Sequence, residues 1–327
     1  MDPKLLGTYL FAAAFDVGMP LALAVFVRRQ LGVSWHYFWY GALIFFLFQV
    51  VTRVPAVQIL QGVLAGPLRQ SEVLRWGWLF ALALTAGLFE EVGRYLGYRH
   101  LVFRGIKATG DGGTGRHGDA GTRGCAESRT QNPGLSTQNS AVGTQNPALI
   151  THHSLLITDD SAWQKGVMYG LGHGGLESML LVGGSVLLAT INYVAIMKMD
   201  PASIAALPAS QQEAVRQARA VLEGVVWWMP LLGSFERLCT VAIQVAFSIL
   251  VLQALLRDSM RWLYLAIFAH FAVDFAAVSL VVPLGPVGTE GLIAVFALVA
   301  LYLIFRLRPH PWVLPEPTGA PSNPPSA

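Results

Sequence analysis

The chain has 327 residues, of which 54% are apolar and only 13% charged, about half the roughly 25% charge of a soluble globular domain. That charge is too sparse to cover a water-exposed surface, and a mean hydropathy of +0.51 excludes both a soluble α/β enzyme and a globally disordered chain. The net charge of +3 is dispersed, so no basic cluster points to nucleic acid, and Cys125 and Cys239 are too few for a disulfide framework or a cysteine-based zinc site. What remains is an all-α, polytopic bundle of transmembrane helices, a multi-pass cell-membrane protein in contact with lipid.

A bilayer span takes about 20 mostly apolar residues. In chain order the sequence offers seven: 8–27, 36–57, 76–98, 167–197, 224–256, 262–282 and 289–306. The first ends at Arg28-Arg29 instead of a small-residue cleavage site, so it reads as a retained helix. Orientation follows the basic residues of the connections. One side collects Arg28, Arg29, Arg99, Arg104, Lys107, Arg116, Arg123, Arg129, Lys165, Arg257, Arg261, Arg306 and Arg308. The other collects Lys4, Arg69, Arg75, Lys198, Arg216 and Arg219. Thirteen against six predicts a chain with its N-terminus out and its C-terminus in.

Residues 1–107 carry the first three spans and 161–308 the last four. Between them, 108–160 holds seven glycines from Gly110 to Gly124 and Thr-Gln-Asn triplets starting at Thr130, Thr137 and Thr144. It reads as a disordered cytoplasmic linker, because such a stretch buries too little apolar surface to offset its ordering entropy. The tail 309–327, with seven prolines, reads as extended. Ala202–Glu223 reads as an amphipathic helix on the outer surface, and the tryptophans as interfacial anchors.

Charge inside hydrocarbon costs about 2.5–3.5 kcal/mol per group on insertion scales. Yet the third span contains Glu90, Glu91 and Arg94, the fourth His173 and Glu177, and the sixth His270 and Asp274. Residues four apart share a helix face, which pairs Glu90 with Arg94, His173 with Glu177 and His270 with Asp274. Glu90 lies nine residues from Arg99, His173 eight from Lys165 and His270 nine from Arg261. At 1.5 Å per residue each stands about 12–14 Å from the basic end of its span, so one carboxylate and two imidazoles meet in one layer. Asp16, mid-way along the first span, would line a lumen, and Glu236-Arg237 would snorkel at the outer end of the fifth.

A glutamate in an apolar pocket suits general-base activation of water, adjacent carboxylates favour divided roles, and histidines opposite can donate to a developing oxyanion. Peptide hydrolysis inside the membrane fits these parts. No Gly-x-Ser-x-Gly serine is present, and Cys239 has no partner in the layer. The same residues allow a metal version, with His173, His270 and Glu90 as three zinc ligands and water as the fourth, although a His-Glu-x-x-His helix is absent. Spacing alone leaves open whether the cofactor is none or one zinc ion.

Glu90-Glu91-Val92-Gly93-Arg94-Tyr95, Gly172-His173-Gly174-Gly175-Leu176-Glu177, Phe235-Glu236-Arg237 and His270-Phe271-Ala272-Val273-Asp274 resemble the YhfC-type membrane peptidases, within the broader CAAX-protease and bacteriocin-processing group. The resemblance covers spans three to six. It implies Glu90 or Glu91 as the residue activating water, His173 and His270 as oxyanion or metal partners, and Asp274 as orienter of His270. It also implies membrane-associated peptides as substrates. Arg94 follows the glutamate pair after two residues where the broader group has three. Tyr169 stands where that group has phenylalanine, and Glu177 is an extra acid of the YhfC type; both are read as supporting residues. Two other readings use the same side chains: a transporter or proton relay, and an inactive membrane scaffold. Oligomeric state is left open.

Overall fold

In a computed structural model, residues 2–103 and 147–308 are described, with side chains from residue 162 onward in the second stretch. All regular structure among them is helical. Helix α1 spans Pro3–Leu31, opened by the Asp2 side chain, which accepts from the Lys4 amide, and closed by Gly32 at φ 67°. Helix α2 spans Trp35–Gln70, α3 Glu72–Val102, and α4 begins at Pro147 and runs to Lys198. Two short helices follow, α5 (Pro201–Ala205) and α6 (Ala209–Glu223), then α7 (Met229–Leu256) and α8 (Arg261–Arg306).

Six of these, α1–α4, α7 and α8, are long and apolar enough to cross a membrane. The expected sixth and seventh spans are both within α8, which Gly285 divides by leaving helical geometry at φ 68°, ψ 171° between Pro283 and Pro286. A left-handed φ suits glycine, and the flanking prolines cannot continue the hydrogen-bond ladder. The second limb returns: the Trp163 indole donates to the Ile304 carbonyl at 3.0 Å, and Arg308 lies over the Trp163 ring.

Two boundaries differ from the sequence reading. Helix α2 continues past residue 57 to Gln70 and carries Gly62, Gly66 and Pro67 within its last turns. The backbone is helical from Pro147, so the end of the expected 108–160 linker belongs to α4, a proline opening a stretch without glycine. The rest of that linker, and the tail 309–327, lie outside the described residues.

One end of the bundle gathers the basic residues. Arg28 lies over Trp35, Lys165 over Tyr37 and Arg257 over Trp262. At the other end the Asp2 amide donates to Tyr193, Thr8 donates to the Trp227 carbonyl, and Arg219 donates to the Ile196 carbonyl. Here α5 and α6 expose nearly everything and bury no residue.

The core is a tight crossing of α2, α4 and α7. A Cβ at Gly41 would stand 1.9 Å from the Tyr169 carbonyl oxygen, and one at Gly172 would stand 1.8 Å from that of Phe38. Small residues are what let helix backbones approach this closely in lipid. Gly170, Gly172, Gly174 and Gly175 turn successively to α7, α2, α7 and α1, which makes them packing residues that seat His173 at the centre.

Candidate active site

Three helices place the layer. Glu90 and Glu91 come from α3, His173 from α4 and His270 from α8, and all are buried. The Nε2–H of His173 donates to Glu90 Oε2 at 3.0 Å, while His270 Nε2 is 3.9 Å from the same oxygen. The convergence expected from depth alone is therefore present as side-chain contact.

The two glutamates face different surroundings. Glu90 lies on the wall of a cavity of about 310 Å³, and Glu91 does not. Glu91 is fully buried behind it, ion-paired with Arg94, and accepts from His270 Nδ1 at 2.6 Å. Arg94 also contacts Glu90 Oε2 at 3.4 Å and donates to Gln244 Oε1. A guanidinium with no exposed surface is tolerable in such a place because acids neutralise it.

Asp274 was expected to orient His270. The structure gives that contact to Glu91, because Asp274 Oδ2 lies 3.6 Å from Nε2, beyond hydrogen-bond reach, and Asp274 lines the cavity instead. Tyr169 is buried against Tyr98, ring centroids 4.4 Å apart, on the basic side of the layer, and its hydroxyl has no partner among the described residues. Asp16 is buried, is absent from the cavity wall, and has neither carboxylate oxygen partnered; its backbone carbonyl accepts from Ser178.

Arg237 is a correction. It does not snorkel: it is 9% exposed, with Nη1 3.2 Å from Glu177 Oε1 and a second ion pair to Glu236. Helix α7 turns it inward toward α4, where the half-buried Glu177 supplies an opposite charge.

Two glutamines escaped the sequence reading. Gln49 Nε2 donates to Glu90 Oε1 at 3.0 Å. Gln244 Nε2 donates to Glu177 Oε2 at 2.7 Å and reaches Glu90 Oε2 at 3.4 Å. Gln49 sits in a widened turn, Phe46–Arg53, just before Pro55, whose missing amide interrupts the ordinary ladder, and Thr52 donates to the Leu47 carbonyl five residues back. A second widened turn, Ser178–Gly183, follows Glu177. An uncharged polar residue within an apolar run, as at Gln49 and Gln244, was the available signal.

The cavity lies to one side of the layer. Its walls include Leu79, Ala83 and Ala86 of α3, Glu236, Arg237 and Thr240 of α7, and Asp274, Ala277 and Val278 of α8. All lie on the side of Glu90, Gln244 and His270 away from the basic end. Toward the basic end there is no such space among the described residues: Tyr98, Tyr169, Met168, Ile249 and Leu252 are fully buried and fill the bundle.

Among the described residues, no three His, Cys, Asp or Glu side chains are gathered closely enough to hold a metal ion as they stand. The nearest set is Glu90 Oε2 with His173 Nε2 and His270 Nε2, which hydrogen-bond or crowd one another directly. In kind the set fits zinc: neighbouring ligands on a tetrahedral ion lie about 3.3 Å apart, between the 3.0 and 3.9 Å seen here. A carboxylate on the second nitrogen of His270 is also what a zinc-ligating histidine carries.

A family model described as YhfC intramembrane metalloprotease matches residues 15–115 and 154–297. The chain is 24% identical over 268 residues, 80% of its length and 79% of the other's, to a protein of Bacillus subtilis (strain 168) described as uncharacterized membrane protein YhfC. No solved structure matches.

Proposed function

The chain belongs to the YhfC intramembrane metalloprotease family, and from that premise we propose that it is an endopeptidase hydrolysing a peptide bond at the Glu90–His173–His270 layer. The observation that carries this is the meeting of one carboxylate and two imidazoles from three helices, with Glu90 and His270 on the wall of the cavity and His173 buried behind Glu90. The topology proposed with it is seven spans, N-out and C-in, counting the two limbs of α8 separately.

Water in the cavity would lose its proton to Glu90 as its oxygen attacks the scissile carbonyl carbon, and Glu90 would return that proton to the departing amine. Gln49 and Gln244, one on each carboxylate oxygen, hold Glu90 in a fixed rotamer. Glu91, charged and neutralised by Arg94, accepts from His270 Nδ1 and so turns Nε2 toward the cavity. His173 and His270 then face the developing oxyanion or a metal. Zinc, held by His173, His270 and Glu90, would supply Lewis-acid polarisation of the scissile carbonyl. The reading thus separates Glu90, which faces the reaction, from Glu91, which positions.

The test is bound zinc per chain and cleavage of fluorescein-labelled casein, measured on the detergent-purified protein and on the His173→Ala/His270→Ala double variant. Near one zinc per chain and cleavage, both lost in the variant, support the metal-dependent form. Cleavage without zinc, lost in the variant, supports glutamate-activated water alone. Cleavage that survives loss of both histidines overturns the proposal.

A further inference from the structure

The cavity has a direction. Every lining residue of α3 other than Glu90 precedes it in sequence, from Leu79 to Ala86, and α3 runs toward the basic end. Helix α8 leaves the basic end, and its first limb lines the cavity only from His270 onward, through Val273, Asp274, Ala277 and Val278. Helix α4, also leaving the basic end, contributes Glu177, one turn beyond His173. Helix α7 arrives from the opposite end and contributes residues from Glu236 to Gln244, stopping at Phe247, which stacks on His270, and α2, leaving the basic end, contributes Gln49 and Arg53. Five helices of alternating direction agree that the space extends from the layer away from the basic end.

Burial repeats the asymmetry. On the cavity side Val278 is 45% exposed and Asp274 and Glu236 reach solvent-accessible positions. On the basic side Tyr98 and Tyr169 stack across the bundle, and Ile249, Leu252 and Met168 have no exposed surface. A peptide has no path through that plug without unpacking it. Basic residues favour the cytoplasmic side by thirteen to six.

We infer that the site takes its substrate from the extracytoplasmic half of the membrane: a polypeptide segment that has been translocated or is anchored from outside, not a cytoplasmic tail. This rests on the peptidase reading for the word substrate, but the sidedness of the cavity stands apart from activity.

The experiment is thiol accessibility in the full-length chain with Cys125 and Cys239 changed to Ser. Single cysteines are placed at Val278→Cys on the cavity wall, Gln211→Cys on exposed α6 and Met260→Cys at the basic end. A membrane-impermeant, cationic methanethiosulfonate is applied to right-side-out and to inverted vesicles. Labelling of Val278→Cys and Gln211→Cys from outside, with Met260→Cys labelled from inside, is the expected result. Labelling of Val278→Cys from inside, or from neither side, overturns the inference, as does labelling of Gln211→Cys from inside, which would mean an inverted chain. Failure of the peptidase reading would show separately, as absent casein cleavage with the labelling pattern intact.

Discussion

The two halves of the bundle, above and below the Glu90 layer, are built from the same helices and end differently. Toward the basic end α3 and α4 present Tyr98 and Tyr169 to each other, and α7 fills the remaining space with Ile249 and Leu252. Toward the other end α3 presents Ala83 and Ala86, α8 presents Ala277, and the opening is lined by Glu177, Glu236, Arg237 and Asp274. Aromatic and branched side chains close the plug; the chamber, walled also by Leu79, Leu82, Val273 and Ile293, keeps its opening beside the alanines of α3 and α8. The proposed reaction site is where the two meet, with Glu90 held by packing on one side and facing the cavity on the other. Each half therefore answers to a different kind of perturbation.

The largest expected effect comes from Arg94→Met, at the boundary itself. It leaves Glu90 and Glu91 without their buried cation and should cost about 3–5 kcal/mol, seen as a large fall in thermal midpoint in detergent. A midpoint unchanged from wild type would mean that the ion pairs are not the layer's support. Next is Gly172→Ala in the packed half. The added methyl meets the Phe38 backbone carbonyl, which cannot rotate aside, and overpacking of this kind costs about 1–3 kcal/mol; the same thermal scan measures it. Behind the chamber wall, Glu91→Gln should lower cleavage by about 10–100-fold through misoriented His270, together with a fall in thermal midpoint because Arg94 loses one of its two buried acids. Activity equal to wild type would give the orienting role to another residue.

These residues also mark what the sequence made legible. Apolar run lengths located the spans, since the bilayer fixes how many residues cross it, and i, i+4 spacing with equal depth located Glu90, His173 and His270. Glu91's task was not legible, because its partner His270 is 179 residues away and only packing selects which imidazole nitrogen it meets. Arg237 was read from its place in the span, near an interface, whereas its pairing with Glu177 across 60 residues depends on how α7 is rotated. The widened turn that carries Gln49 shifts side chains off the regular helical phase, so periodicity cannot place them. Chamber and plug were likewise invisible, because a hydropathy window reports neither side-chain size nor which face of a helix a residue takes.

The smallest effect separates the halves most finely. Tyr169→Phe removes a buried hydroxyl that has no hydrogen-bond partner among the described residues, so stability should be unchanged or higher by up to about 1 kcal/mol. A clear loss of stability would show that the hydroxyl is bonded and that the plug is part of the polar network.

The most direct measurement is casein cleavage by Glu90→Gln in liposomes, alongside its thermal midpoint. The carboxamide keeps the size of Glu90 and removes its basicity. A fall of about 100-fold or more with a folded, stably inserted protein is the predicted result. Cleavage at the wild-type rate by that variant would contradict the account, because the cavity floor would then hold no essential base.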